Sequence, residues 1–386
     1  MPWKETCAMD EKIMLIGDWL KSEHTISELG ERYQVSRKTV YKWIGRYEEG
    51  GIEALQDVTR APHLHPNATA PEIVSQLIET KLRHKDWGPK KVVVFLKRQF
   101  SEKPWPAVST VQSILRKEGL VQSRRLRRHT PPFTRPFQEC LKPNDSWSID
   151  YKGQFRTGNG KLCYPLTIAD NFSRYLIICR GLRHPSYEAT WPYLERAFRE
   201  HGLPLSVRSD NGSPFAATGL GGLSRLAVWL IRLQIMPERI ALSHPEQNGR
   251  HERMHRTLKA GVCQPPESNL YRQQSAFDRF RQEYNQERPH EALGMQTPAS
   301  LYQPSRRLYP ARLPSVEYDR WLTVRKVMDS GCIKWRNTFV YVSQALAGEP
   351  VGLKQKTDTT WEIWFSFLCL GILDELKQKV LPMSPV

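Results

Sequence analysis

Long hydrophobic runs are missing from this 386-residue sequence. The longest, Trp361 to Leu373, falls short of the roughly 20 apolar residues a spanning helix needs, contains Glu362 and is rich in aromatics. The N-terminus carries acidic and Trp residues where a signal peptide needs a basic start and an apolar centre. Cysteine is scarce as well. Its seven copies (Cys7, Cys140, Cys163, Cys179, Cys263, Cys332, Cys369) are odd in number, scattered, and form no Cys-x-x-Cys pair. That argues against a disulfide framework and against a zinc module, and points to a reducing, intracellular setting. Acidic charge is in deficit: 40 Asp and Glu stand against 57 Lys and Arg, a formal net charge of +17. The excess implies a polyanionic partner, with nucleic acid ahead of an anionic membrane surface. The length suits two or three domains, each able to bury a core.

The chain from Asp10 to Tyr47 has helical patterning. Ile13, Leu15, Ile16, Trp19 and Leu20 supply a first apolar face. Thr25, with Glu28 three residues on, has the form of a capping box, and Ser36 is a second N-cap after a short turn through Gln34 and Val35. The helix Ser36 opens would turn Val40, Trp43, Ile44 and Tyr47 inward. Arg37, Lys38, Thr39, Tyr41 and Lys42 would face outward. A basic helix after a tight turn is how a helix-turn-helix offers its recognition helix to the major groove. Gly50 to Ala70 has the composition of a linker. Helices from Pro71, from Lys90 to Phe100 and from Val108 to Lys117, the last stopped at Gly119, make a second helix-turn-helix candidate. Arg124, Arg125, Arg127 and Arg128, followed by prolines, form an extended basic segment suited to phosphates.

Strand periodicity then begins. Trp147, Ile149 and Tyr151 alternate with Ser148, Asp150 and Lys152, which places an acid inside a strand, where it is disfavoured. Leu162 to Asp170 and Tyr175 to Arg180 continue as strands, Tyr187 to Gly202 as a helix, and Pro204 to Ser209 as a strand ending in Asp210-Asn211-Gly212. A Pro- and Gly-broken loop, His244 to Gly249, leads into a helix bearing Glu252, Arg256 and Lys259 at i, i+4 and i+7, hence on one face. This is the element order of a ribonuclease-H-like core. Past Arg307, short aromatic-rich strands (Gly331–Trp335, Phe339–Val342, Glu349–Leu353, Thr360–Phe365) suggest a small β-rich domain that binds DNA or a second protomer.

Three segments, Ile149-Asp150-Tyr151, Ser209-Asp210-Asn211-Gly212 and Asn248-Gly249-Arg250-His251-Glu252-Arg253, resemble the acidic motifs of the retroviral-integrase-like (DDE) transposases of bacterial insertion sequences. Tyr284 to Leu293, with Thr297-Pro298-Ala299, is similar to the segment closing their core. The resemblance implies catalytic and metal-binding roles for Asp150, Asp210 and Glu252, and phosphate contacts for Arg256 and Lys259, with Asn248 and His255 adjacent. His255 is a conceivable general base, though a metal would make one unnecessary. Thirty-five residues separate Asp210 from Glu246, the spacing the resemblance implies, and forty-one separate it from Glu252. Motif context favours Glu252, because the family's Glu follows the Asn-Gly turn inside the helix. The glycine-rich Ala216–Gly222 loop can absorb the difference.

Three clustered carboxylates repel unless cations pair them. Two Mg²⁺ (or Mn²⁺) ions about 3.5–4 Å apart would resolve this and drive strand cleavage and transfer. The expected layout is multidomain: residues 1–60 a helix-turn-helix domain, 61–135 a second one with the basic linker, 136–304 the α/β ribonuclease-H-like core with a mixed sheet, and 305–386 a small β-barrel-like domain. The implied partners are double-stranded DNA, both transposon ends and target, and further copies of the chain assembled on it. The implied setting is the bacterial cytoplasm and nucleoid. A non-catalytic DNA-binding regulator derived from a transposase and a ribonuclease of related fold are the competing readings.

Overall fold

The computed structural model describes residues 7–57, 68–121, 139–217, 222–240 and 249–382. The chain divides into two compact units, Met1–Thr69 and Ala70–Val386.

In the first unit α1 (Ala8–Leu20), α2 (Ile26–Arg32) and α3 (Arg37–Gly50) enclose Leu15, Ile16, Leu29, Val40, Trp43, Ile44 and Leu55. The Thr25 hydroxyl accepts from Glu28 N while the Glu28 carboxylate accepts from Thr25 N, and Ser36 Oγ accepts from Thr39 N. These caps satisfy amides that a helix start leaves open, so helix boundaries follow local chemistry. Two expectations need correction. Ile13 and Leu20 are 41% and 55% exposed, because three short helices enclose too small a core to cover the whole α1 stripe. The stretch after Gly50 is not all linker: Ile52–Leu55 forms a 3₁₀ turn that buries Leu55 completely. Gly51, at φ +66°, supplies the reversal that returns Leu55 to the core.

The second unit opens with α4 (Pro71–Arg83), α5 (Pro89–Gln99) and α6 (Val108–Lys117), packed around Leu77, Trp87, Val92, Leu96, Val111 and Leu115. A sheet follows. Its strands are β1 (Ser146–Tyr151), β2 (Phe155–Arg156), β3 (Leu162–Asp170), β4 (Leu176–Leu182), β5 (Ser206–Ser209) and β6 (Met236–Arg239). β1 lies centrally, antiparallel to β3 and parallel to β5, which pairs in parallel with β6. The sheet is therefore mixed. Both faces are covered. On one, α7 (Tyr187–His201) and α8 (Arg225–Arg232) pack on Trp147, Ile149, Leu166 and Ile168. On the other, α9 (Gly249–Leu258) and α10 (Leu270–Gln286) pack on Cys163, Leu176 and Cys179. Double coverage explains why Ser148 is buried despite its polar place in the alternation: its hydroxyl donates to Asn171 Oδ1.

α8 and β6 are additions to the elements read from sequence. Leu226, Trp229 and Leu230 of α8 belong to the sheet's core, while Ala227, Val228 and Ile231 belong to the C-terminal one. The six central residues of α8 form one continuous apolar run, too short to tell a buried helix from a buried strand by pattern alone. After α11 (Pro298–Leu301), the strands β7 (Thr323–Lys326), β8 (Cys332–Trp335), β9 (Thr338–Tyr341), β10 (Pro350–Thr357), β11 (Thr360–Phe365), β12 (Leu368–Asp374) and β13 (Lys379–Pro382) follow. They form a five-stranded antiparallel sheet, β13-β12-β11-β10-β7, and a β8–β9 hairpin. The two share one apolar core, and Arg232 ties α8 to this region through an ion pair with Glu349 at 3.0 Å. No described helix is long and apolar enough to cross a membrane.

Candidate active site

The alternation of β1 decides what its acid faces. Trp147 and Ile149 point to the α7/α8 side, so Asp150 points to the α9 side, as does its register partner Thr167 on β3. Asp210 follows the last residue of β5, the parallel neighbour of β1. Its carboxylate accepts from Gly212 N at 3.1 Å. A Cβ at Gly212 would stand 3.1 Å from Asp210 Oδ2, so a larger residue there would press on the acid. α9 has two faces. His251, Met254, His255 and Leu258 are buried, whereas Glu252, Arg256 and Lys259 are exposed together. The α pattern ends at Leu258, and Lys259 begins a π-helical turn through Cys263.

Asp150 feels both other acids. Burial first, then the charge of Asp210 and also that of Glu252, push its carboxyl from 3.8 up to about 7. Asp210 and Glu252 thus act on Asp150 through their charge, while the metal-ligating atoms that gather within 4.8 Å of one another among the described residues are those of Asp150, His251 and His255. Acids that are costly to ionise together without a counter-ion suit a divalent cation.

Sequence reasoning missed what lies behind the cluster. Thr167 Oγ1 stands 2.7 Å from Nε2 of both His251 and His255, and 3.1 Å from the Asp150 carbonyl oxygen, to which it donates. The rings meet edge to face, centroids 4.6 Å apart. Burial drives His251 down to about 3 and His255 to about 2. Both are therefore neutral, and the 3.8 Å approach of His255 Nδ1 to Asp150 Oδ2 is not an ion pair. A ring that basic only in acid accepts no proton near neutrality, so His255 is unsuited to be a general base. The available sequence signal was two imidazoles four apart on the acid's own helix.

Arg37, Lys38, Tyr41 and Lys42 are exposed along α3, while Thr39 is half-buried with its hydroxyl against Ser36 Oγ at 2.9 Å. Arg124, Arg125, Arg127, Arg128, Asn248 and the rival acid Glu246 lie outside the described residues. Tyr284 and Asn285 serve packing: Asn285 Nδ2 donates to Leu176 O at 3.0 Å and its Oδ1 accepts from Leu176 N at 2.8 Å. Nearby, Arg288 pairs with Asp86 at 2.6 Å, and His84 Nδ1 lies 2.8 Å from Glu283, joining α4–α6 to α10.

Family comparisons give the same order of parts. An integrase core domain matches residues 141–245, and another model of that description matches 233–298. A helix-turn-helix domain matches 11–63 and a homeodomain-like domain 39–115. The insertion element IS407 31.7 kDa protein of Burkholderia multivorans is 24% identical over 235 residues, spanning 59% of this chain and 80% of that protein. The chain joins helix-turn-helix domains to an integrase core, the make-up of an insertion-sequence transposase. A Caenorhabditis elegans protein is 30% identical to this chain over 175 residues, 44% of the chain but only 13% of that protein. Among solved structures, the HTLV-2 integrase catalytic core in complex with magnesium aligns with 16% identity and a TM-score of 0.34, covering 42% of this chain and 99% of that one. The integrase match over 233–298 spans Glu246 and Glu252 alike.

Proposed function

We propose that the protein binds the ends of its own element, cuts them and joins them to target DNA, with Asp150, Asp210 and Glu252 as the catalytic carboxylates. The observation that carries this is the elevation of Asp150 to about 7 by burial and by the two other acids. An acid strained in this way is a site waiting for positive charge. Asp150 lies on β1, Asp210 directly follows its parallel neighbour β5, and Glu252 lies on the exposed face of α9.

Bound there, a pair of Mg²⁺ or Mn²⁺ ions supplies Lewis-acid activation of the attacking oxygen and stabilisation of the leaving one. The chain's own task is to hold that charge and position the DNA. Asp150 is set rigidly by a central strand, Asp210 by its own Asx turn, and Glu252 by a helix anchored through four inward residues. Arg256 and Lys259, exposed beside Glu252, orient phosphates. Water first hydrolyses the bond at the element's end, and the freed 3′ hydroxyl then attacks target DNA in line, with no covalent protein intermediate. Arg37, Lys38, Tyr41 and Lys42 of α3, with Thr39, read the element's end through the major groove. Arg124, Arg125, Arg127, Arg128 and Asn248 add backbone contacts, and copies of the chain assemble on the two ends.

The test is incubation with a labelled donor end, target DNA and Mg²⁺. Joined products are expected. Binding without nicking would favour a DNA-binding regulator, and cleavage confined to RNA–DNA hybrid would favour a ribonuclease.

A further inference from the structure

The hydrogen bonds around Thr167 fix more than a packing contact. The hydroxyl has one proton and three polar neighbours: the Asp150 carbonyl at 3.1 Å and two Nε2 atoms at 2.7 Å. A carbonyl can only accept. All three contacts are satisfied when Thr167 donates to that carbonyl and both imidazoles donate from Nε2 to the hydroxyl. Each ring then carries its lone pair on Nδ1. His255 Nδ1 faces Asp150 Oδ2 at 3.8 Å, longer than a hydrogen bond. His251 Nδ1 is buried and has no hydrogen-bond partner among the described residues. One nitrogen from each ring and one Asp150 carboxylate oxygen all lie within 4.8 Å of one another.

Two imidazole nitrogens and a carboxylate oxygen gathered this closely favour a cation between them. Atoms bound to one ion at about 2.1 Å stand about 3.0–4.2 Å apart, so the Asp150–His255 separation already fits, and a shift of about half an ångström admits His251. The two histidines sit at i and i+4 of α9, the spacing that turns paired imidazoles to one side of a helix. We propose that Asp150, His255 and His251 form a mixed nitrogen–oxygen site for a transition-metal dication, with Thr167 as the residue that positions both rings. Imidazole favours Mn²⁺ and the later dications over Mg²⁺, which prefers oxygen alone. The inference deepens the catalytic reading, since it shares Asp150, but it concerns binding and can fail separately.

The experiment uses the full chain, metal-stripped and titrated with Mn²⁺ alone, followed by electron paramagnetic resonance with electron spin-echo modulation. Bound Mn²⁺ is expected to show ¹⁴N modulation and to resist displacement by equimolar Mg²⁺. His255→Gln keeps a donor for Thr167 but removes Nδ1; it should weaken or erase the modulation and reduce Mn²⁺ affinity about tenfold or more. The wild-type spectrum decides the matter even if that variant fails to fold. Bound Mn²⁺ without nitrogen modulation, or no binding by the folded chain, overturns the proposal. If strand joining with Mg²⁺ proceeds meanwhile, the transposase reading stands and only the nitrogen site falls. Nitrogen modulation without joining under either metal means the reverse: the nitrogen site stands and the catalytic reading falls.

Discussion

Replacing Asp150 by Asn should stabilise the metal-free protein while destroying its activity. Burial and the charges of Asp210 and Glu252 raise the carboxyl from 3.8 to about 7. Because the folded value lies above the unfolded one, the native state holds the extra proton, and stability falls as pH rises between the two. The penalty is absent below pH 3.8, grows through the window and is complete above about 7. Roughly three units at about 1.36 kcal/mol each give a cost of about 4 kcal/mol. The side chain is only 17% exposed, so solvent screening removes little of it. Guanidinium denaturation in EDTA, followed by tryptophan fluorescence, should therefore show Asp150→Asn more stable by ~2–4 kcal/mol at pH 8.5 and nearly unchanged at pH 4. Mg²⁺ should close the gap by stabilising only the wild type. A variant no more stable than wild type at pH 8.5, or a gain equal at both pH values, would refute the reasoning.

Other consequences are as direct. Apparent Mn²⁺ affinity should rise as pH approaches about 7 and level off above it, since the ion competes with the Asp150 proton; a flat calorimetric profile from pH 5.5 to 8 would contradict this. Asn285→Ala leaves the amide and carbonyl of Leu176 unpaired in the core, and should cost about 2–4 kcal/mol of stability by chemical denaturation. Arg37→Ala with Lys42→Ala should weaken binding to the element's end and flatten its salt dependence by up to about two units of log–log slope, one for each phosphate no longer neutralised. An unaltered slope in filter-binding assays would remove α3 from the DNA interface.

Much of this architecture was legible locally. Thr25 and Ser36 announce their helices because a cap is chemistry within three residues. β3 runs from Leu162 to Asp170, where the pattern places it, and Asp150 shows itself as an acid within a strand. The hidden parts depend on distant partners. α8 reads locally as a short apolar run that fits strand and helix alike, and its division between the sheet's core and the C-terminal core depends on distant partners. The role of Thr167 rests on contacts to rings 84 and 88 residues further on. His255, read from sequence as a neighbour of the DNA, is instead buried beneath the acid. Ile13 and Leu20 fail for the converse reason, since an apolar stripe does not tell how much core is available to cover it.

The choice between Glu252 and Glu246 carries the mechanistic claim, and strand joining measures it. With a donor end, target DNA and Mg²⁺, Glu252→Gln should lose at least about a thousandfold in joining, equivalent to about 4 kcal/mol of transition-state stabilisation. Glu246→Gln should retain much of the wild-type rate. Robust joining by the Glu252 variant with loss in the Glu246 variant would contradict the assignment.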